Sequence, residues 1–297
     1  MIQDRTLPAV FGRVVIYAIV IALGLACLLP LLNITAVSLS ASDAVSANRV
    51  GIFPVGFNLG AYRKMVTDGQ LWRSFAISVL RAVLSLVIHM TLIVSMAYPL
   101  SKNNRRFPGR NIYMKFMVFA MLFNGGLIPT YMVVNFLKLT NTIWALVLPG
   151  AVPIFNVILV MNFFAGIPSS LEEAAIMDGA GPMTVLLRIF VPCSLPALAT
   201  VALFSIVGSW NDFFGGLVYM SKMINYPLMT YIQTLTIDLV QLMNSGAGAD
   251  ELAQLAEVSN RNLNAAKIVL AAAPLLVIYP FLQKYFVSGI VMGAVKE

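Results

Sequence analysis

Apolar side chains fill the chain in six long blocks, at residues 14–32, 75–98, 112–133, 142–164, 195–219 and 266–286, separated by polar connectors. A helix needs about 20 residues to cross the hydrocarbon layer of a bilayer, and each block supplies roughly that length. The pattern predicts an all-α, polytopic membrane helical bundle of six transmembrane helices. Proline and glycine interrupt several blocks, as at Pro30, Gly125, Gly126 and Pro129. Helix bundles tolerate them because neighbouring helices re-satisfy the freed backbone groups.

Composition removes the alternative of a soluble domain. The 297 residues are 60% hydrophobic and 10% charged, with mean hydropathy +0.88, whereas soluble domains carry about 25% charged residues. The net charge of +7 comes from 19 Lys and Arg spread along the chain rather than from a basic stripe with interleaved aromatics. That distribution fits loops retained in the cytoplasm and excludes nucleic acid as a partner. Cys27 and Cys193 lie in or beside apolar segments with no metal-ligand spacing, so neither a disulfide nor a metal is expected. The first block exceeds the 7–15-residue core of a signal peptide and reads as a retained span.

Orientation follows from residues 101–115, where Lys102, Arg105, Arg106, Arg110 and Lys115 gather without an acidic residue. Placing this loop in the cytoplasm puts both termini there, together with the connector 165–194, and leaves 33–74 and 221–264 outside. The second outer loop carries Asn244-Ser245-Gly246-Ala247-Gly248 and then Asp250, Glu251 and Glu257. It reads either as a solvated surface loop or as a docking surface for an external partner.

The inner connector is the most informative stretch. Ser170 followed by Glu173 has the spacing of a capping box, which predicts a short helix over 171–177. Asp178-Gly179 is a stop, because glycine adopts the left-handed conformation that ends a helix. Gly181-Pro182 then opens a second helix. Leu171, Ala174, Ala175 and Met177 form a small-residue apolar surface flanked by Glu172, Glu173 and Asp178. Such a surface either packs beneath the protein's own spans or lets another protein approach closely.

Glu173-Ala174-Ala175, three residues, Gly179, nine residues, Ile189 and then Val191-Pro192 resemble the EAA motif of binding-protein-dependent ABC importer permeases, with Val191 in place of the usual leucine. Flanking segments are similar to the carbohydrate branch of that family, which contains the smaller membrane subunit of the maltose importer. They include Ala97-Tyr98-Pro99-Leu100-Ser101, Leu139-Thr140-Asn141-Thr142, Ser209-Trp210-Asn211-Asp212-Phe213 and Gly293-Ala294-Val295-Lys296. The resemblance runs from about Val14 to the end and is weakest in the outer loops. It divides the chain into residues 1–74, holding the N-terminal tail, first span and first outer loop, and a permease core at 75–297. It further implies a heterodimer with a second permease subunit, two ATPase subunits, an extracytoplasmic solute-binding protein and an oligosaccharide substrate. The location implied is the bacterial cytoplasmic (inner) membrane. The long loop 221–264 resembles permeases for larger oligosaccharides, including acidic ones such as alginate.

On this reading Glu172, Glu173, Ala174, Ala175, Asp178 and Gly179 couple the chain to the ATPase, and Gly293, Ala294, Val295 and Lys296 contact it through the tail or fray as a free terminus. Trp210, Asn211 and Asp212, polar groups in an apolar span, either shape the translocation path or hydrogen-bond within the subunit. No glycine precedes a lysine, so the chain has no P-loop, and no inner segment is long enough for a nucleotide-binding domain. The chain is therefore not an enzyme: it has no catalytic residue and no cofactor of its own, with ATP and Mg bound by the partner ATPase. The alternative, a secondary transporter or channel subunit, needs ionisable groups along its path. Only Arg81, His89 and Asp212 qualify here, and His89 also reads as an interhelical contact.

Overall fold

The computed structural model describes residues 7–123, 125–234 and 261–294, and those residues form helices, turns and coil without strands. Backbone contacts divide the chain into two units, residues 1–69 with 234–273 and residues 70–233 with 274–297.

The first unit begins with the helix Leu7–Ser38, whose apolar side chains from Phe11 to Leu32 are exposed, as a lipid-facing helix requires. Its end is tied down by side chains that satisfy turn backbone. Asn33 Nδ2 donates to the Gly51 carbonyl at 2.7 Å, and the Ser38 hydroxyl lies 2.9 Å from that of Tyr62. The helix Arg261–Ala294 starts in this unit. There Asn262 Nδ2 donates to the Ser40 carbonyl at 2.5 Å, and Lys267 Nζ pairs with Asp68 Oδ2 at 3.0 Å, on the short helix-and-turn segment that includes Gly60–Thr67.

The second unit is organised by the helix Gly69–Leu100. Its Ile93, Ala97 and Leu100 meet Val157, Val160 and Phe164 of the helix Ile154–Ala165 and Leu198 and Val201 of the helix Leu195–Asn211 in one apolar cluster. Phe164 and Phe190 close its lower end edge to face, with ring centroids 5.5 Å apart. A smaller cluster joins Val134, Ala145, Leu146 and Met220.

Among the described residues, three helices are each long and apolar enough to cross a membrane unaided: Phe11–Ser38, Gly69–Leu100 and Arg261–Pro280. The other three expected spans are broken, each at a residue whose backbone chemistry accounts for it. The block 112–133 splits into Arg110–Leu122 and Leu127–Phe136, with Gly126 at φ +85° between them. The block 142–164 splits into Ile143–Val147 and Ile154–Ala165 around Pro149 and Pro153. The block 195–219 ends its first helix at Asp212, whose extended backbone (ψ 102°) starts a turn before Phe214–Tyr219. Hydropathy smooths over these breaks because the breaking residues are themselves apolar or isolated.

Candidate functional site

The predicted helix of the inner connector spans Ser169–Met177, two residues longer at its start than expected, with Pro168 at the N-cap. The anticipated reciprocal bonding of Ser170 and Glu173 does not form, since no side chain caps this helix. Glu173 Oε1 instead faces Arg106 Nη2 at 3.3 Å. A charge-assisted bond to guanidinium outcompetes a bond to backbone N–H, which water can serve at an exposed helix start.

Glu172 is the buried member of the segment at 8% exposure. Its Oε1 meets Lys102 Nζ at 2.8 Å and its Oε2 meets Arg106 Nη1 at 3.0 Å. Lys102 is itself held over two aromatic faces, 3.9 Å from the Phe190 ring centroid and 4.3 Å from that of Tyr98. Cation–π contact of this kind holds the ammonium against the ring faces. Phe190 reaches Lys102 because the helix from Pro182 widens into a π turn over Leu186–Phe190, a local feature frequent at functional positions.

The stop behaves as expected. Gly179 has φ +81°, with its N–H bonded to the Ile176 carbonyl and the Ala180 N–H bonded to that of Ala175. This is a Schellman closure, and Ala175 and Ala180 both pack on the apolar cluster. Gly181 and Pro182 open the next helix as the N-cap and first residue. The helix thus has two sides: Ala175 packs beneath the protein's own helices, while Leu171, Ile176 and Met177 are 46%, 53% and 87% exposed. Ala174, Glu173 and Asp178 are also exposed.

The second polar constellation lies among the helices. Arg81, buried on Gly69–Leu100, pairs with Asp212 Oδ2 at 2.5 Å and also donates to the carbonyls of Asp212 (2.9 Å) and Leu146 (3.3 Å). Asp212 Oδ1 accepts the Gly215 N–H at 3.0 Å. Glycine is required in this turn for space: a Cβ at Gly215 would lie 2.6 Å from Asp212 Oδ2, and one at Gly216 would lie 2.0 Å from Thr230 Oγ1. Trp210 is buried and packs edge to face on Phe75 at 5.7 Å, whereas Asn211 is exposed. His89 Nδ1 lies 3.2 Å from Ser205 Oγ, an interhelical contact.

Together these groups line a cleft of about 190 Å³ bounded by Arg81, Ser85, His89, Asn156, Ser205 and Asp212, with Phe204, Gly150 and Gly208. Of the three charged or titratable groups expected near the spans, all sit here. Trp210 and Asn211 do not line the cleft.

The remaining expected contacts fall at or beyond the edges of the described residues. Gly293 and Ala294 end the last helix, while Val295, Lys296 and the segment Asn244–Glu251 lie outside. Sequence reasoning missed Lys102 and Arg106 as partners of Glu172, although five cations without an acid near two adjacent acids on the same side was the available signal. It also gave no role to Asn141, which has a left-handed backbone (φ 62°) and whose Oδ1 accepts the N–H groups of Ser221 and Lys222. Asn156 carried no signal at all.

Residues 77–292 match the family model described as binding-protein-dependent transport system inner membrane component. The chain is 39% identical to the protein LplC of Bacillus subtilis (strain 168) over 273 residues, 92% of this chain and 90% of that one. It is 36% identical to the polygalacturonan/rhamnogalacturonan transport system permease protein YtcP of the same organism, over 95% of this chain and 96% of that one. Among solved structures it is similar to a chain of a bacterial ABC transporter involved in the import of the acidic polysaccharide alginate, with TM-score 0.84 and 30% identity, covering 96% of this chain and 99% of that chain.

Proposed function

Because the chain belongs to the family of binding-protein-dependent transport system inner membrane components, we propose that it is one of two permease subunits of an ATP-driven importer of oligosaccharides. Its partners in this reading are a second permease, two ATPase subunits that bind ATP and Mg, and an extracytoplasmic solute-binding protein. Both termini face the cytoplasm, as the cation-rich loop 101–115 favours. The polyuronide transport named for YtcP and for the alginate importer supports an acidic oligosaccharide as substrate.

The observation that carries this reading is the helix Ser169–Met177. It exposes Leu171, Ile176, Met177 and Glu173 on one side, while Ala175 and Glu172 fasten the other to the body of the second unit. An exposed apolar side on a short helix held by an ion pair and a rigid stop is suited to entering a cleft on an ATPase. The 74° bend from Ile154–Ala165 lays it across the end of that helix. A displacement of the docked helix then moves the attached helices, whereas a floppy loop would dissipate it.

Three further contacts complete the proposal. Gly293–Lys296 reach the ATPase subunits, the loop 221–264 receives the solute-binding protein, and Trp210, Asn211 and Asp212 form part of the gate or path. The decisive experiment is co-purification of the tagged chain from gently solubilised membranes. Recovery of an ATPase and a second permease is expected; recovery of this chain alone as a homo-oligomer overturns the reading.

A further inference from the structure

We infer that the cleft between Arg81 and Asn156 is a sugar-contact site within this subunit, one that takes the hydroxylated, uncharged face of a single ring of the oligosaccharide. The inference rests on the importer reading above and adds to it that this chain, not only its permease partner, touches the substrate.

Four observations support it. Asn156 is 7% exposed and lines the cleft, yet its carboxamide makes no hydrogen bond among the described residues. The amide atoms open onto the cleft rather than being sealed in the interior, so a ligand there can bond them. Arg81 Nε is buried with no partner. The charge in the cleft is balanced, because Arg81 faces Asp212 at 2.5 Å. A carboxylate entering would meet Asp212, so the site favours hydroxyls over the acidic group of a uronate. Finally, Phe204 lines the cleft at 46% exposure, beside Ser205 and His89. An aromatic face next to amide, hydroxyl and imidazole groups suits a sugar ring, which presents C–H bonds on its faces and hydroxyls at its edge. The cleft, at about 190 Å³, has room for one ring rather than a chain.

Two glycines make the idea testable without touching the polar groups. A Cβ at Gly208 or Gly150 meets nothing within 4 Å, although both residues line the cleft. Gly208→Phe fills the space.

The assay uses the complete importer with its binding protein in proteoliposomes, with oligogalacturonates and maltooligosaccharides as test substrates. Gly208→Phe and Asn156→Leu should each lower uptake roughly tenfold or more, the effect of losing about 1.4 kcal/mol or more of binding, while binding-protein-stimulated ATP hydrolysis persists. Parent-like uptake by both variants overturns the inference and leaves the importer reading standing. A parent complex that hydrolyses ATP but moves neither class of sugar counts against the importer reading instead. Should Gly208→Phe fail to assemble, Gly208→Cys in a Cys27→Ser, Cys193→Ser background answers the same question. A transported sugar should slow its modification by a small thiol reagent severalfold, and an unchanged rate overturns the inference.

Discussion

Lys102 Nζ lies 2.8 Å from Glu172 Oε1, joining the end of the helix Gly69–Leu100 to the connector helix across 70 residues of chain. Both side chains are largely buried, at 12% and 11% exposure. Removing one partner of a buried pair leaves the other charge uncompensated, at a cost of about 3 kcal/mol. Glu172→Leu should therefore lower the thermal midpoint of the purified complex by several degrees. Adding Lys102→Met should restore much of the loss, and strictly additive losses in the double variant would deny the coupling.

Glu173 is exposed and shares Arg106 with Glu172. Exposed pairs contribute at most about 1 kcal/mol, so Glu173→Gln should leave the thermal midpoint unchanged. If Glu173 engages an ATPase, the same change should reduce ATP-driven uptake while leaving the chain in the membrane. Uptake equal to the parent's would remove Glu173 from coupling.

Gly179 has open space around its missing side chain, so a substitution there acts through its φ of +81° alone. A branched or long residue held left-handed costs roughly 1–2 kcal/mol, and Asn costs less. Gly179→Leu should leave membrane insertion intact and abolish coupling of ATP hydrolysis to uptake, with Gly179→Asn clearly milder. Equal activity of the two would show that the left-handed turn is not what matters.

Asp212 and Gly215 are predicted to share a phenotype. A methyl at Gly215 would press on Asp212 Oδ2 and push it from Arg81. Gly215→Ala should therefore impair uptake as Asp212→Asn does, and Arg81→Met combined with Asp212→Leu should recover assembly better than Asp212→Leu alone. Gly216→Ala, crowded by Thr230 rather than Asp212, should be worse for assembly and unaffected by the Arg81 change. Measuring recovered complex and uptake for this set separates the two effects.

The membrane-helical class, the inner connector with its stop at Gly179 and the helix opening at Pro182 were all readable from the sequence. They depend on hydropathy and on backbone preferences that act within a few residues. The same locality explains the failures. The Ser170–Glu173 spacing is a local signal, and a guanidinium from 67 residues away defeated it at Glu173. Gly126 and Asp212 were visible as exceptions within the predominantly apolar blocks 112–133 and 195–219, but hydropathy could not reveal that these blocks, and 142–164 at Pro153, divide there into separate helices. Arg81 and Asp212 were visible as isolated charges in apolar segments, but their pairing spans 131 residues and needed the fold. Asn156 had no sequence signature, because an asparagine in an apolar run becomes informative only when packing shows whether its amide is satisfied. Long-range charge pairing and the satisfaction of buried polar groups belong to the tertiary structure, since each depends on which helices become neighbours.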